Sequence, residues 1–548
     1  MKCTITSVTP LEELPNTPSL RKISSNKEIN DSYAAYLTDE SRFPGGKADN
    51  MIFAYSEKQV IDTLKQAFDS STSVTVSAGR TGIVGGAVPQ GGILLSLEGM
   101  NRFLGARWDE EKNCWCVRVQ PGLTIAELQQ ILHKKDFAET LSFLDGPSAT
   151  ALQQFSAESD RWFYPPDPTE KSAHIGGTVA TNASGARSFK YGQTRKFVTA
   201  LRIVLADGTV LSLQRGKNLC PANEGRFYIQ KENDYSEVPI PTYSWPKVKN
   251  AAGYYTNDPL DIIDLFIGSE GTLGVITEIE VVLWEKPDLI LGGIAFFPSE
   301  KEAIQFVKIA RENNENETMP TALEYFDAYS LQLLRNKREE EGSASSIPPF
   351  LQTAQAAVYF EQEGSEENLE ELYEKYETFL SKCGTSMAET WGGVEEEELK
   401  KMADFRHALP ETVNTIIGQR QKTYPHLHKI GTDFSVPDEK LEDVIDLYHS
   451  KLDSHGFEYL MFGHIGQNHL HVNIIPRNDK ELEDAKKVYT ELASEIVAWG
   501  GTVSAEHGIG KIKKQLFQIM YSQKAIKEMK KLKNSLDPKN ILNPGTLF

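Results

Sequence analysis

The sequence predicts a mixed α+β protein of two or three domains, and three features carry that prediction. Strand-like and helix-like periods alternate from Met51 onward, Asp207-Gly208 joins two strand-like runs at a tight turn, and three glycine-rich stretches punctuate the first half. At 548 residues the chain exceeds what one core can hold, since single cores stop growing near about 250–300 residues.

Met51 opens a strand-like piece that runs into Val60, Leu64, Ala67 and Phe68 at helical spacing. Val74 and Val76 then alternate as a strand leading into glycines, and residues 91–97 and 115–119 read as further strands. A helix is predicted over 124–133, where Thr124 and Glu127 fit a capping box. Residues 201–205 and 209–213 flank the Asp-Gly turn. The Pro- and Tyr-rich stretch 221–259 has weak periodicity and reads as a long excursion on the surface or over a site. Residues 275–283 have good β composition, Pro287 ends that run, and a boundary falls near 285. Helical patterns follow at 300–313 and 363–382, and the acidic block 395–398 opens a third helix, where carboxylates complement the helix dipole. Residues 460–462 and 470–474 read as two strands of a hairpin. Residues 1–45 show no sustained period and read as a loosely attached arm.

Composition narrows the function classes. Hydrophobic residues at 40% and charged residues at 25% are those of a packed globular protein. Asp plus Glu number 77 against 58 Lys plus Arg, a formal charge of −19 that repels a phosphate backbone and argues against nucleic-acid binding. The most apolar run, 289–297, is broken by Gly292 and Gly293 and falls short of the ~20 residues of a spanning helix, so no transmembrane segment is expected. No apolar signal core follows the start, where Pro10, Pro15 and Pro18 intervene, and cytoplasmic placement is expected, with peripheral membrane contact as the alternative. Five cysteines suit a reducing compartment. Cys114 and Cys116 could pair on a soft metal, but Trp115, Val117 and Val119 alternate with them as a strand and no second Cys pair completes a site.

The glycine stretches lie at 78–87, 175–186 and 268–274. Glycine lets backbone N–H groups approach an anion closely, so such loops can line a pyrophosphate. None matches GxxxxGK[ST] or the GxGxxG dinucleotide fingerprint. Four of the 11 histidines, His464, His469, His471 and His507, fall near one another in sequence, with Glu506 beside the last. A hairpin sets His464 opposite His471 and puts His469 and His471 on one side. Imidazoles plus a carboxylate suit zinc and related ions, and three ligands leave a position for a substrate oxygen.

These motifs carry a resemblance. Gly79 to Pro89 with Gly92 to Asn101, Pro165-Pro166-Asp167-Pro168 leading to Gly176-Gly177-Thr178 and Asn182-Ala183-Ser184-Gly185, and Gly268 to Gly274 resemble the FAD-binding half of the vanillyl-alcohol-oxidase (PCMH-type) superfamily. Phe462-Gly463-His464-Ile465-Gly466 with Leu470-His471, Ser504 to Gly510, and Asp537-Pro538 with Asn543-Pro544-Gly545 resemble its D-lactate dehydrogenase, glycolate oxidase and D-2-hydroxyglutarate dehydrogenase branch. The resemblance implies a PCMH-type FAD-binding domain of two α+β subdomains and a cap domain with an antiparallel sheet flanked by helices. On that basis the chain is divided into an arm at 1–45, the FAD-binding domain at 46–285, the cap at 286–500 and a C-terminal segment at 501–548 that returns to the flavin.

The resemblance further implies FAD against Gly79, Arg80, Thr81, Gly82, Gly85, Pro166, Gly177, Thr178, Asn182, Gly185, Gly271, Thr272, Ile276 and Asn543. Arg80 replaces a common glycine, and its side chain either reaches the phosphates or points to solvent. The two glycine loops nearest the flavin hold no histidine, so the FAD is expected to be non-covalent. A divalent metal, zinc or manganese, falls to His464, His471 and Glu506, with His507 as the base while hydride passes to flavin N5. Arg406 is the candidate for a substrate carboxylate, with Lys429 and Asp433 as weaker ones. Residues 466–469 read Gly-Gln-Asn-His where relatives have Gly-Asp-Gly-Asn, which leaves His469 open between a third imidazole at the metal and a substitute for a substrate-touching amide.

The implied activity is oxidation of a D-2-hydroxy acid, D-lactate-like, to the 2-oxo acid. The alternative within the superfamily is a sugar, an alditol or an alkyl glycerone phosphate, since fold alone does not choose. Electrons leave to an external acceptor, a quinone, electron-transferring flavoprotein, cytochrome, iron–sulfur protein or oxygen, because neither an NAD fingerprint nor a cluster motif is present in the sequence.

Overall fold

The computed structural model describes the chain except for residues 1–2, 232–233, 313–318, 343–344 and 346. Strands and helices mix throughout, as the periods predict. Three sheets position everything that follows.

A small sheet orders Arg21–Ile23, Asn50–Phe53, Ile93–Ser96 and Val74–Ser77, the last three mutually parallel. Helix Glu57–Ser70 covers it. Ser56 caps that helix by accepting the Gln59 amide, and Val60, Ile61, Leu64 and Ala67 pack on Ile52, Val74 and Ile93. A five-stranded antiparallel sheet follows in the order Val210–Gln214, Val198–Val204, Val275–Val282, Cys114–Val119, Phe103–Asp109. Its first two strands are the hairpin predicted around Asp207-Gly208, and Gly208 takes the positive φ of +83° that the turn requires. The capping box at Thr124 and Glu127 is present and opens helix Ile125–Lys134. Cys114 and Cys116 are buried in their strand as free thiols.

The third sheet has eight antiparallel strands. Its path runs Thr390–Gly393, Leu289–Phe297, Ala356–Gly364, Ala322–Phe326, Tyr459–Gly463, His469–Ile474, Ile430–Gly431, with Phe434–Ser435 also on His469–Ile474. Helices Glu300–Glu312, Leu369–Ser381, Glu396–Arg420 and Leu441–Ser454 pack against it. Gly292 marks the crossing of Glu396–Arg420, since a Cβ there would lie 2.5 Å from Leu399 Cδ2. The hairpin predicted at 460–474 forms, but Phe462 and not His464 stands opposite His471, because the strand ends at Gly463 and His464 falls in the turn.

Two expectations change, and one is met as far as the described residues run. The helix predicted over 363–382 begins only at Leu369, because Glu363 and Gly364 complete the strand Ala356–Gly364, which pairs with Leu289–Phe297 along its whole length. Alternate acidic residues of that strand meet bases: Glu361 accepts from Arg187, and Glu363 from Lys190 and Tyr191. The helix predicted over 300–313 is Glu300–Glu312, and Asn313 lies outside the described residues. The arm is woven in: Thr4–Thr6 pairs in parallel with Arg226–Gln230, Arg21–Ile23 joins the small sheet, and Ile5, Ile23, Ile29 and Leu37 are buried. Arg226–Gln230 and Tyr235–Pro239 make a hairpin within the excursion, residues 232–233 of which lie outside the described residues. At the other end, Val74 donates to the Ile541 carbonyl at 2.7 Å, so the C-terminus adds to the small sheet's edge. No helix among the described residues is long and apolar enough to cross a membrane.

One polar cluster ties the helices to the large sheet. His449 Nε2 lies 2.8 Å from Glu300 Oε2 and Nδ1 lies 2.6 Å from the Tyr459 hydroxyl, which itself donates to Asp453. Tyr325 donates to the other Glu300 oxygen, and Asp327 faces the same imidazole. Chiefly through the Glu300 hydrogen bond, the imidazole's pKa is raised above 6.5, while Glu300 is held low by His449 against the opposing effect of burial. The stability from His449 is therefore fully present below pH about 6.5 and is lost as pH rises through its elevated value. Glu300's share is present above its unfolded value and is lost as pH falls through its depressed one. The melting-temperature difference between wild type and His449→Gln should be largest near pH 6 and shrink by pH 9, which thermal unfolding across that range checks.

Candidate active site

A cavity of about 360 Å³ lies where the three glycine stretches converge. Its wall includes Gly79, Arg80, Thr81 and Gly82 after strand Val74–Ser77, Gly177 and Thr178 in helix Ile175–Thr181, Gly271 and Ile276 around the start of Val275–Val282, and Asn543. The backbone explains the composition. No amide from Gly79 to Ile83 donates to another described residue, so these N–H groups face the cavity without partners. A Cβ on Gly82 would meet nothing within 4 Å, and one on Gly271, at φ +68°, would strike Asn543 Nδ2 at 2.7 Å. Asn543 joins two sides of the wall: its Oδ1 accepts from Val76 at 2.8 Å and its Nδ2 donates to the Glu270 carbonyl at 2.7 Å. Unpartnered amides around a cleft of this kind fit the pyrophosphate of FAD.

Other candidates sit behind the wall. Asn182 ends helix Ile175–Thr181 in the left-handed conformation and accepts the Arg195 amide, and Thr272 bonds Ser269 and Tyr254. A Cβ on Gly185 would fall 2.0 Å from the Asp167 carbonyl oxygen, and Gly85, at φ +73°, packs on Phe43. Pro166 is buried away from the cavity, where Pro168, Thr169 and Glu170 stand instead. Arg80 follows neither expectation, since its guanidinium donates to the Ala78 carbonyl and lies 4.0 Å from the Tyr36 ring. The sequence reading passed over His174, which precedes the second stretch, lines the cavity and has a buried Nδ1 with no hydrogen-bond partner.

The same cavity is walled by Glu506 and His507. Ligand atoms of His464, His469, His471 and Glu506 lie within 4.8 Å of one another, so the predicted trio meets, with His469 beside it. The hairpin register and the turn through Gly463, at φ +117°, bring the histidines together, and the loop after strand-paired Thr502 delivers Glu506. His464 Nε2 lies 3.3 Å from Glu506 Oε2 and its Nδ1 is 2.5 Å from Glu324 Oε1. Burial opposes a charge on His464, but Glu324 and Glu506 outweigh it and push the pKa up to about 9. Imidazole nitrogens gathered around the Glu506 carboxylate are the donor set that suits a divalent cation such as zinc. A second set, Asp433, His471 and His507, meets the same distance limit, but Asp433 already accepts from Lys513 Nζ and Ser504 Oγ, each at 2.7 Å.

Asp433 orients His507. Its carboxylate also accepts the amides of Glu506 and His507, at 3.2 and 3.0 Å, and lies 3.3 Å from His507 Nδ1. Burial raises its pKa, yet His507, Lys513 and His469 together hold it well below the usual carboxylate range. His507 is pushed down to about 4 by burial, against Asp433, so its imidazole is neutral near pH 7. With Nδ1–H assigned toward Asp433, Nε2 is left as an acceptor.

Sequence reasoning missed the partners of these groups. Lys249, from the excursion, is buried and ion-paired to Glu506 Oε1, to which Ser184 also donates at 3.0 Å. Glu324 links His464 to Arg406, whose Nε lies 3.3 Å from Glu324 Oε2 and whose terminal nitrogens donate to no described residue. Lys249 and Glu324 stand in segments whose local pattern carries no chemical motif, so only the fold reveals them.

Comparison with known proteins agrees with this geometry. A family model described as FAD linked oxidases, C-terminal domain, matches residues 291–547, and an FAD binding domain model matches 48–152 and 148–214. The chain is 27% identical over 538 residues to the glycolate oxidase subunit GlcD of Bacillus subtilis (strain 168), covering 96% of each. It is 28% identical over 542 residues to a D-lactate dehydrogenase of Anaerostipes hadrus, covering 96% of this chain and 94% of that one. It is 28% identical over 502 residues to the mitochondrial D-2-hydroxyglutarate dehydrogenase of Danio rerio, covering 91% and 78%. Among solved structures, an alkyldihydroxyacetonephosphate synthase superposes with a TM-score of 0.61 at 18% identity, over 97% of this chain and 82% of that one, a likeness of fold.

Asn543→Ala removes both hydrogen bonds of the wall and leaves two backbone groups unpartnered, which should cost roughly 2–4 kcal/mol. Denaturant unfolding and the flavin-to-protein ratio of the purified variant check this, and both should fall.

Proposed function

The chain belongs to the FAD-linked oxidases of the vanillyl-alcohol-oxidase (PCMH) superfamily and is an FAD-dependent oxidoreductase, and from that premise we propose that it oxidises a small D-2-hydroxy acid to the 2-oxo acid with the help of a divalent metal. The observation that carries the reading is convergence: Glu506 and His507 stand in the wall of the same cavity as the three glycine stretches. Glycolate, D-lactate and D-2-hydroxyglutarate, in the names of the relatives, are all 2-hydroxy acids, which supports the substrate class.

FAD, when bound, supplies the two-electron acceptor for the hydrogen on the alcohol carbon. A divalent ion held by His464, His471 and Glu506 supplies a Lewis acid that lowers the cost of deprotonating a secondary alcohol. The protein's own residues do the rest. His507 Nε2 accepts the hydroxyl proton, because Asp433 fixes the ring and burial keeps it neutral. Asp433 also stabilises the imidazolium that results. Arg406 turns its free terminal nitrogens to the substrate carboxylate while Glu324 holds its Nε. Gly79, Thr81, Gly82, Gly177, Thr178, Gly271, Ile276 and Asn543, which line the cavity, would hold the FAD, the unpartnered amides of Gly79 to Gly82 being the donors available to its pyrophosphate.

Anaerobic addition of D-lactate, D-2-hydroxyglutarate or glycolate should abolish the visible absorbance of oxidised flavin, and prior chelation should slow this at least about tenfold. His507→Ala should lower the reduction rate about 10²–10⁴-fold without changing flavin content. Indifference to all three acids, with reduction by a sugar or alditol, would overturn the reading. The FAD is bound non-covalently and should enter the supernatant on acid precipitation, whereas a yellow pellet would direct attention to His174.

A further inference from the structure

His469 lies in Gly466-Gln467-Asn468-His469, between the two histidines of the metal trio, and the role proposed above for that trio does not use it. It opens strand His469–Ile474 and is wholly buried. Its Nε2 lies 3.0 Å from Asp433 Oδ1, which holds that side of the ring, while the buried Nδ1 has no hydrogen-bond partner. A buried ring nitrogen with no partner is costly unless something fills the gap.

The two expected histidine ligands show what fills it. His464 anchors Nδ1 on Glu324 and turns Nε2 toward Glu506. His471 anchors Nδ1 on the Thr432 carbonyl at 3.1 Å and places Nε2 4.0 Å from Glu506 Oε2. His469 repeats the arrangement with its nitrogens exchanged: Nε2 lies beside a carboxylate, and Nδ1 is 4.0 Å from Glu506 Oε1. Ring centroids of the three imidazoles are 4.4 to 5.4 Å apart. An outer nitrogen held by an acceptor and an inner one on the ion is how ligating histidines are oriented.

We infer that His469 is a further metal ligand, so that the site offers three imidazoles and one carboxylate in place of two and one, and a substrate oxygen would enter as a fifth donor. The inference rests on the metal-assisted reading of this same site. Three nitrogen donors favour zinc, cobalt, nickel or iron over manganese and magnesium, which prefer oxygen-rich sets. Of the two ions the resemblance implies, this selects zinc.

The test uses the full chain loaded with zinc. X-ray absorption on the wild type should count three imidazoles at the metal, and His469→Asn should leave two. Competition with a chromophoric chelator should show His469→Asn losing about 10–100-fold in zinc affinity, with manganese affinity much less changed and flavin content preserved. His464→Ala, which removes a ligand common to both readings, should bind zinc poorly whatever His469 does. Two imidazoles in the wild type, or equal zinc affinity in wild type and His469→Asn while His464→Ala loses it, would overturn the role of His469 alone. Failure of the wild type to bind any divalent ion would overturn both this inference and the metal in the proposed function. The absorption count needs no variant, so a misfolded substitution does not rescue the claim.

Discussion

A carboxylate removed from water must be matched by positive charge or hydrogen bonds, and Glu506, with only 9% of its side chain exposed, imposes that demand on distant parts of the chain. Ser184 answers it from the second glycine stretch, Lys249 from the excursion and His464 from the large sheet. Burial alone would raise the pKa of Glu506, but His464 and Lys249 hold it well below the ordinary range. Segments 322, 257 and 42 residues from Glu506 along the chain are thus drawn to one point, and that point is the wall of the glycine-lined cavity. The Arg187–Glu361 pair ties the same junction a second time, joining the segment after the second glycine stretch to the large sheet by bonds of 2.6 and 3.1 Å.

Behind Glu506 stands Asp433, fully buried and gathering two backbone amides, Ser504, Lys513 and His507. Because one oxygen pair serves both the loop that carries Glu506 and the ring of His507, these two groups share a single anchor. A shift in that anchor would move both, which is the kind of coupling that keeps reacting groups within the small tolerance catalysis needs. Glu270 plays a comparable part on the opposite wall, where its two oxygens accept the amides of Ile509 and Gly510 at 2.8 and 2.7 Å and its own carbonyl receives Asn543.

Much of this was legible in the sequence wherever the signal is local. The Asp207-Gly208 turn, the Thr124 capping box and the hairpin bearing the histidines each depend on neighbours within a few residues, and each forms. The glycine stretches and the His/Glu trio were legible as motifs because their chemistry needs those residue types. What failed to show was non-local. Lys249 and Glu324 acquire meaning only through partners 257 and 140 residues away. Residues 363–364 carry a helical composition that strand pairing overrides, and the arm's strands, three residues each, are too short to show a period. Pro166 was expected at the cofactor by motif adjacency, yet the chain turns so that Pro168 takes the wall.

The central proposal is a divalent ion at Glu506, beside the glycine-lined cavity. Anomalous diffraction from crystals of the zinc-loaded, flavin-bound protein, collected on both sides of the zinc edge, tests this most directly. A single anomalous peak about 2.0–2.2 Å from Glu506 and from the inner nitrogens of His464 and His471 is the predicted result. No peak there, with Lys249 alone neutralising Glu506, would contradict it.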